Sequence, residues 1–435
     1  DAVGADDIQK GQLGVNLSES LGRVPGIVVQ NRHNYAQDLQ ISSRGFGARS
    51  TFGVRGLRLY ADGIPATMPD GQGQVSHFSL GSAKRIEVLR GPFSALYGNS
   101  SGGVIQILTE DGAKEPTITP SVAFGSFGTS RVGLKASGVA PAARTDYVLE
   151  ASRFDTNGYR VHSAATRDAG NAKLKFALGE ATSVSLIGNT VNMPDAQDPL
   201  GLTRAQYDAD PRQVDPGAIT FNTRKSVRQT QGGMVFDHRL SESNALRVMA
   251  YTGARDVNQV LSIPVGTQGP TSHSGGVVDL VRDYTGLDMR WTHKNRLFGG
   301  PLTLTGGFNY DTLDEKRKGY NNFIGSTLGV QGALRRDEDN RVSNFDQYAQ
   351  GEWHFAEDWQ LSAGVRASRV RFNSADNFLS NGNDSGAAKY SAVTPVGGLV
   401  YHLTDAINLY GSVGKGFETP TFNQLSYRPP RSTGP

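Results

Sequence analysis

WQLSAGVRAS, residues 359–368, decides the architecture, because its side chains alternate at every step: Trp359, Leu361, Ala363, Val365 and Ala367 against Gln360, Ser362, Gly364, Arg366 and Ser368. A period of two is the signature of a β-strand with one apolar and one polar face. PLTLTGGFNY, residues 301–310, repeats it, with Leu302, Leu304, Gly306, Phe308 and Tyr310 against Thr303, Thr305, Gly307 and Asn309. Leu287, Met289 and Trp291 do the same against Asp288, Arg290 and Thr292, as do Leu174, Phe176 and Leu178 against Lys173, Lys175 and Ala177. About thirteen such strands follow one another from residue 117 onward.

Their connections sort into two kinds. Short links fall at GVAPAART, LGEAT, LSESNA, NRLFGG, FAEDW and LTDA, and long segments lie between them at 155–168, 193–225, 256–281, 314–341 and 373–389. An up-and-down barrel in an outer membrane places every second connection on the same side, with tight turns inside and long loops outside. A soluble β-sandwich has no reason to sort its loops this way. The pattern predicts an antiparallel membrane β-barrel wall over residues 116–435.

Residues 1–115 read differently, as a small α/β unit. Leu17–Arg23 has helical character, with Asn16 as N-cap and Glu19 three residues on, and it stops at Pro25-Gly26. Short strands are predicted at Ile27–Gln30, Leu57–Ala61, Arg85–Arg90 and Val104–Leu108, separated by glycine-rich turns.

Composition removes several chemistries. With no Cys, there is no thiolate nucleophile and no Cys-ligated metal. The net charge of +3 gives no electrostatic case for nucleic acid. No apolar run reaches the roughly 20 residues of a membrane helix, which a barrel does not need. The eight His residues show no metal-ligand spacing, and Met68 with His77 is too small a set to make a copper site. Gly98-Asn99-Ser100-Ser101-Gly102 fits a hydrolase elbow in spacing, but a strand leaves it where a helix is required. No catalytic residue, metal or cofactor is expected.

The first unit contains LSESLGRVPGIVVQNR, LQISSRGFGARSTFGVRGLRLYADGIPATMPDGQGQ and KRIEVLRGPFSALYGNSSGGVIQILT. In this order, over nearly all of 16–109, they resemble the plug of TonB-dependent outer-membrane receptors. RGLRLYADGIPATMPDGQGQ with LRGPFSALYGNSSGGVI is similar to the YncD-type branch. The resemblance implies a plug inside a barrel of 22 strands in the full-length protein, of which about 13 are in this chain. It also implies a monomer in the Gram-negative outer membrane, contacting its lipid and lipopolysaccharide. Its ligand would be imported with energy from TonB, ExbB and ExbD. The cargo implied is a ferric siderophore, another iron chelate or pyrroloquinoline quinone. The family's TonB box is expected upstream of Asp1. The rival reading is a passive ligand-binding or adhesion barrel, or a phage or bacteriocin receptor, whose plug never moves.

Site residues follow from motif position. The plug apex, residues 47–56 and 66–77, is expected to offer Arg49 and Arg55 for acidic groups and Phe52 for stacking. Asp70, Gln72, Gln74 and His77 would supply hydrogen bonds there. Tyr159 and Arg160 in an outer loop would close over the ligand. Arg44, Arg85, Glu87 and Arg90 are expected to meet the barrel wall, Arg90 as a lock to wall carboxylates. Asp288 and Glu352 fall on the lumen face by alternation. Gly45, Gly63 and Gly91 read as tight-turn positions.

Overall fold

The structure is a computed structural model that describes residues 1–31, 33–50, 53–90, 95–98 and 101–426. The first unit is built on a five-stranded sheet. Its strands are β1 (Ala2–Gly4), β4 (Arg58–Ala61), β5 (Ile64–Pro65), β6 (Ala83–Arg90) and β7 (Gly103–Thr109), in the order β1-β6-β7-β4-β5. β4 runs parallel to β7 and the other pairs are antiparallel. A separate hairpin pairs β2 (Ile27–Gln30) with β3 (Gln40–Ser43). Helices α1 (Ala5–Gln9) and α2 (Ser18–Leu21) flank the sheet, and Ile8, Leu21, Ile41, Leu57, Leu59, Ile86, Ile105 and Ile107 form its core.

The N-cap position of α2 falls on Leu17, which makes no side-chain cap bond, and not on the expected Asn16, but Asn16 and Glu19 bond amides just ahead of the helix. The Glu19 carboxylate accepts from the amides of Gly14, Val15 and Asn16, and Asn16 Oδ1 accepts from the Ser18 amide at 3.0 Å. Together they satisfy donors that a helix start leaves open. Sequence reading missed β1, α1, β3 and β5, each five residues or fewer, because so short a segment carries no period. Gly45 and Gly63 sit at φ +90° and +88° as expected of tight turns; Gly91 lies outside the described residues.

The second sheet is a meander of thirteen antiparallel strands. They are β8 (Thr117–Gly125), β9 (Thr129–Ala140), β10 (Thr145–Thr156), β11 (Ala165–Ala177), β12 (Thr182–Gln197), β13 (Arg224–Arg239), β14 (Asn244–Val260), β15 (Val277–Leu297), β16 (Gly300–Tyr320), β19 (Leu334–Ala356), β20 (Trp359–Asp376), β21 (Gly386–Thr404) and β22 (Ile407–Gly414). The two-residue strands β17 (Phe323–Ile324) and β18 (Thr327–Leu328) make a small hairpin between β16 and β19. Helices α3 (Arg204–Ala209) and α4 (Pro216–Thr220) lie between β12 and β13, and α5 (Phe422–Ser426) follows β22.

Short turns at 141–144, 178–181, 240–243, 298–299, 357–358 and 405–406 share one end of this sheet. The long connections 157–164, 198–223, 261–276, 321–333 and 377–385 share the other. All three tryptophans, Trp291, Trp353 and Trp359, project from the outward face near the short-turn end. There Phe298, Trp353, Phe355, Trp359 and Tyr401 form a chain of ring contacts with centroids 4.5–6.2 Å apart. Such a girdle is what an outer-membrane barrel carries at an interface, in line with the wall expected from the sequence.

The inward face is charged and tightly filled. Gln229, Arg255, Arg282, Glu315 and Asn340 are consecutive register partners across β13, β14, β15, β16 and β19, and all are buried. Arg282 donates to Glu315 at 2.6 Å. Asp288 and Glu352 take the same inward parity, and accept from Tyr348 at 3.4 Å and Gln350 at 3.0 Å.

Candidate ligand site and the plug–wall interface

Loop 66–77 is held rigidly from within. The amides of Ala66, Met68, Gly73 and Gln74 donate to Leu59, Gln72, Val54 and Ala66 carbonyls at 2.7–2.9 Å, and Thr67 Oγ1 accepts from the Leu59 amide at 2.8 Å. Its polar side chains, expected to supply hydrogen bonds to a ligand, are largely buried. Asp70, Gln74 and His77 are 3%, 4% and 2% exposed, and Gln72 is half-buried. The wall is the reason. Arg255 Nη1 donates to Ser76 Oγ at 2.9 Å, Arg167 donates to the Ser76 carbonyl at 3.0 Å, and Thr419 reaches the Asp70 carbonyl at 3.5 Å.

Burial dominates the electrostatics of this loop. It pushes the His77 imidazole down to about 3, helped by the positive charges of Arg255 and Arg167, so the ring is neutral. Burial also raises Asp70 above the usual carboxylate range, against the pull of Arg282. Asp38 goes the other way: burial would raise it, but Lys225, 2.8 Å away, together with Arg255 and Arg282, holds it below its ordinary value.

Loop 47–56 is more open. Arg49 is exposed, and Phe52 lies outside the described residues. Arg55 is half-buried and donates to Gln424 Oε1 at 3.0 Å and the Thr419 carbonyl at 2.8 Å, while its buried Nε has no partner among the described residues. The segment 415–426 thus lies across the plug apex. Phe422 of this segment packs edge-on against Phe372 of the wall at 5.1 Å. Beside it is a cavity of about 320 Å³ at the long-loop end, lined by Arg336, Glu338, Phe372, Ser374, Phe422 and Leu425 among others. Arg336 Nε holds Glu338 at 3.0 Å, while its buried Nη1 has no partner among the described residues. The aromatic wall suits a planar guest, and the free guanidinium donor of Arg336 offers it a hydrogen bond beside the carboxylates of Glu338 and Asp384.

The expected wall contacts of the plug fall elsewhere. Arg90 donates to the Pro25 carbonyl at 2.5 Å and to Asp1, so its described partners are plug groups and not wall carboxylates. Arg85 pairs with Glu87 at 2.6 Å within β6, and both face a second cavity, about 350 Å³, between the plug sheet and β14–β16. Arg44 is exposed, in the left-handed region at φ +49°, and its amide donates to Gly26. Arg160, expected to close over a ligand, is engaged with loop carbonyls. Its guanidinium binds the carbonyls of Gln213, Leu200 and Pro199 and ties two outer loops together, with Tyr159 stacked edge-on against Phe127 at 5.3 Å.

The groups that do join plug to wall were invisible before the register was known. Arg58 meets Asp311 at 3.4 Å, and Asp311 also accepts from Tyr251 at 2.5 Å and Asn309 at 2.8 Å. Glu150 accepts from Ser79 at 2.6 Å and Glu110 from Lys135 at 2.8 Å. Arg366, held by Asp346, donates to the carbonyls of Ala95 and Leu96 at 3.1 Å. Each wall member sits on the inward parity of its strand, the one signal that could have found it.

A TonB-dependent receptor plug domain family matches residues 1–104, and a TonB-dependent receptor-like β-barrel family matches residues 148–435. The fold is shared with the ferric citrate transporter FecA, at TM-score 0.82 and 21% identity over 98% of this chain and 63% of that one. The copper transporter OprC gives 0.77 and 16%, covering 99% of this chain and 65% of that one. The ferric-catecholate import receptor Fiu from E. coli K12 gives 0.75 and 17%, covering 96% and 69%. The chain therefore spans about 63% of the length of FecA, and identities this low speak for fold alone. With plug and wall each matched in its place, and the wall covering more than half the sequence, this chain belongs to the TonB-dependent receptor family.

Proposed function

We propose that the protein is an importer of the Gram-negative outer membrane, of the YncD-type branch. In this reading residues 1–115 are its plug and 116–435 part of its wall, and it takes up a small anionic ligand by coupling to TonB, ExbB and ExbD. The observation that carries the reading is the cavity of about 320 Å³ at the long-loop end, beside the segment that Arg55 binds. Its Phe372 and Phe422 offer aromatic surface, and Arg336 of its lining keeps a buried nitrogen without a partner among the described residues. So does Arg55, which lies outside the lining and touches it only through the segment 415–426. These groups fit a carboxylate-rich iron chelate or an aromatic acid such as pyrroloquinoline quinone. A bare copper ion fits less well, because His77 is flanked by the guanidiniums of Arg255 and Arg167, which repel a cation.

Ligand in this cavity would compete for the contacts that hold 415–426 over the apex. That differential contact is what shifts the plug toward a state in which TonB engages it. The test is a binding panel on the full-length protein, comparing pyrroloquinoline quinone, ferric citrate and several siderophores, repeated with Arg49→Ala, Arg55→Ala and Arg336→Ala. One anionic ligand is expected to bind and to weaken in Arg55→Ala and Arg336→Ala. Equal affinity of that ligand for the parent and all three variants refutes the site. Uptake that survives collapse of the proton gradient refutes the energised mechanism and favours the passive barrel.

A further inference from the structure

Two voids meet on the inner face of the wall near its short-turn end. The first, about 350 Å³, lies between the plug sheet and β14–β16, and the second, about 560 Å³, lies over the short-turn ends of β11–β15. Arg247 of β14 and Arg290 of β15 line both, so these two side chains stand at the junction. They are also direct register partners, which sets two guanidiniums side by side on one face. Like charges so placed repel unless an anion lies between them. The plug closes in from the opposite side: a methyl group on Gly63, in the turn between β4 and β5, would stand 3.5 Å from Arg247 Nη2.

The two voids differ in charge balance. In the first, Arg58 meets Asp311 at 3.4 Å and Arg85 meets Glu87 at 2.6 Å, so these cations are answered in place. The lining of the second carries Lys175, Arg239, Arg247 and Arg290 against only Glu180 and Asp237. Arg247 takes Asp237 at 3.2 Å. Arg290 makes no ion pair among the described residues; Asp288 reaches it only through the Tyr348 hydroxyl, 3.4 Å from each. Both guanidiniums are half-buried, so their field acts inside the voids and is only partly screened. A cleft lined by an excess of one sign concentrates ions of the other. Adjacent guanidiniums also present the paired donors that a carboxylate accepts best. Beyond them, Tyr60, Tyr97 and Tyr251 line the first void and offer a guest aromatic surface.

We propose that Arg247 and Arg290 form a binding point for small carboxylates, one that passes them between the short-turn mouth and the plug–wall void and turns cations back. It is separate from the cavity at the long-loop end. The point itself needs only the plug and wall described above; its use as the way out for an acidic cargo rests on the importer reading. The test uses full-length protein in detergent, freed of any cysteine outside these residues. Leu108→Cys supplies the thiol, since Leu108 lines the first void and residues 1–435 hold no Cys. Modification by a sulfonate-bearing and by a trimethylammonium-bearing methanethiosulfonate is timed, each rate referred to a free thiol in solution. The sulfonate reagent is expected to lead by about tenfold, and R247Q/R290Q should bring the two rates within about twofold. R247K/R290K should keep the lead, because Lys keeps the charge. Malonate, added at constant ionic strength, should slow the sulfonate reagent in the parent and not in R247Q/R290Q. Equal rates in the parent overturn the anion preference, and silence toward both reagents overturns the open junction. An undiminished lead in folded R247Q/R290Q overturns the assignment to these residues, and a parent indifferent to malonate overturns the binding of carboxylates. No imported ligand and no energy source enters the assay, so a wrong importer reading leaves its outcome readable.

Discussion

Replacing Asp311 with Ala is expected to loosen the plug where it is most deeply tied to the wall. Arg58 and Asp311 have side chains only 3% and 4% exposed, so removing the carboxylate strands a guanidinium in a dry site. At 3.4 Å, and with an effective dielectric near 20, the attraction lost is about 5 kcal/mol. Measured losses on breaking one half of a buried pair run at about 3–5 kcal/mol. The lower end applies here, because Arg58 keeps a contact to the Tyr60 hydroxyl at 3.4 Å. A loss of about 3 kcal/mol corresponds to an increase on the order of a hundredfold in local opening. Hydrogen exchange of the amides in β4, Arg58–Ala61, reads that opening directly. Removing both charges in Arg58→Met/Asp311→Leu should restore exchange to within about tenfold of the parent, since no charge is left unpaired. If exchange in Asp311→Ala stays within about threefold of the parent, the pair does not hold the plug and the reasoning fails.

Other expectations follow from the same geometry. His77 has its folded pKa near 3, below the unfolded value of about 6.5, so its contribution to stability is present above pH 6.5 and fades as pH falls toward 3. Between pH 7 and 4.5 the parent should lose up to about 3 kcal/mol that His77→Phe does not lose, measured as denaturation midpoints of both proteins. A methyl group added at Gly253 would stand 2.4 Å from the Tyr284 ring, and one at Gly286 at the same distance from Tyr251. Each Gly→Ala change should therefore cost about 1–3 kcal/mol in thermal stability of the wall. Since the tryptophans lie on the outward face near one interface, shallow lipid-borne quenchers should dim their fluorescence more than deep ones. The opposite order would place the girdle wrongly.

The wall was legible because a half-buried strand writes its two environments into alternate residues. Leu302 to Tyr310 and Trp359 to Ala367 could be assigned a face from sequence alone, and the loop rhythm added the end. The same rule placed Asp288 and Glu352 inside. The plug was legible as a resemblance, but its contacts were not. Arg90 and Arg58 are equally plausible wall partners by residue type, and only the register that sets Asp311 beside Tyr251 and Asn309 selects Arg58. Likewise Asp70, Gln74 and His77 read as loop residues that meet a ligand, and nothing local in the sequence signals their burial. Their burial comes from Arg255, Arg167 and Thr419, which lie far away in sequence. Arg160 followed the same course, since the carbonyls it holds belong to a loop some forty to fifty residues on.

The length of the strands bears on how a scarce ligand would be kept. β15, β16 and β19 run to 21, 21 and 23 residues, where about 9–11 suffice to cross a bilayer. With the aromatic girdle at the short-turn end, the surplus stands beyond the opposite interface, about 30 Å of hydrogen-bonded wall for β19 at a usual tilt. A molecule that slips from the outer cavity beside this wall meets a rigid surface on its way out. In the importer proposed above, repeated encounters with that surface would turn a single binding event into many returns, lengthening residence without an added contact.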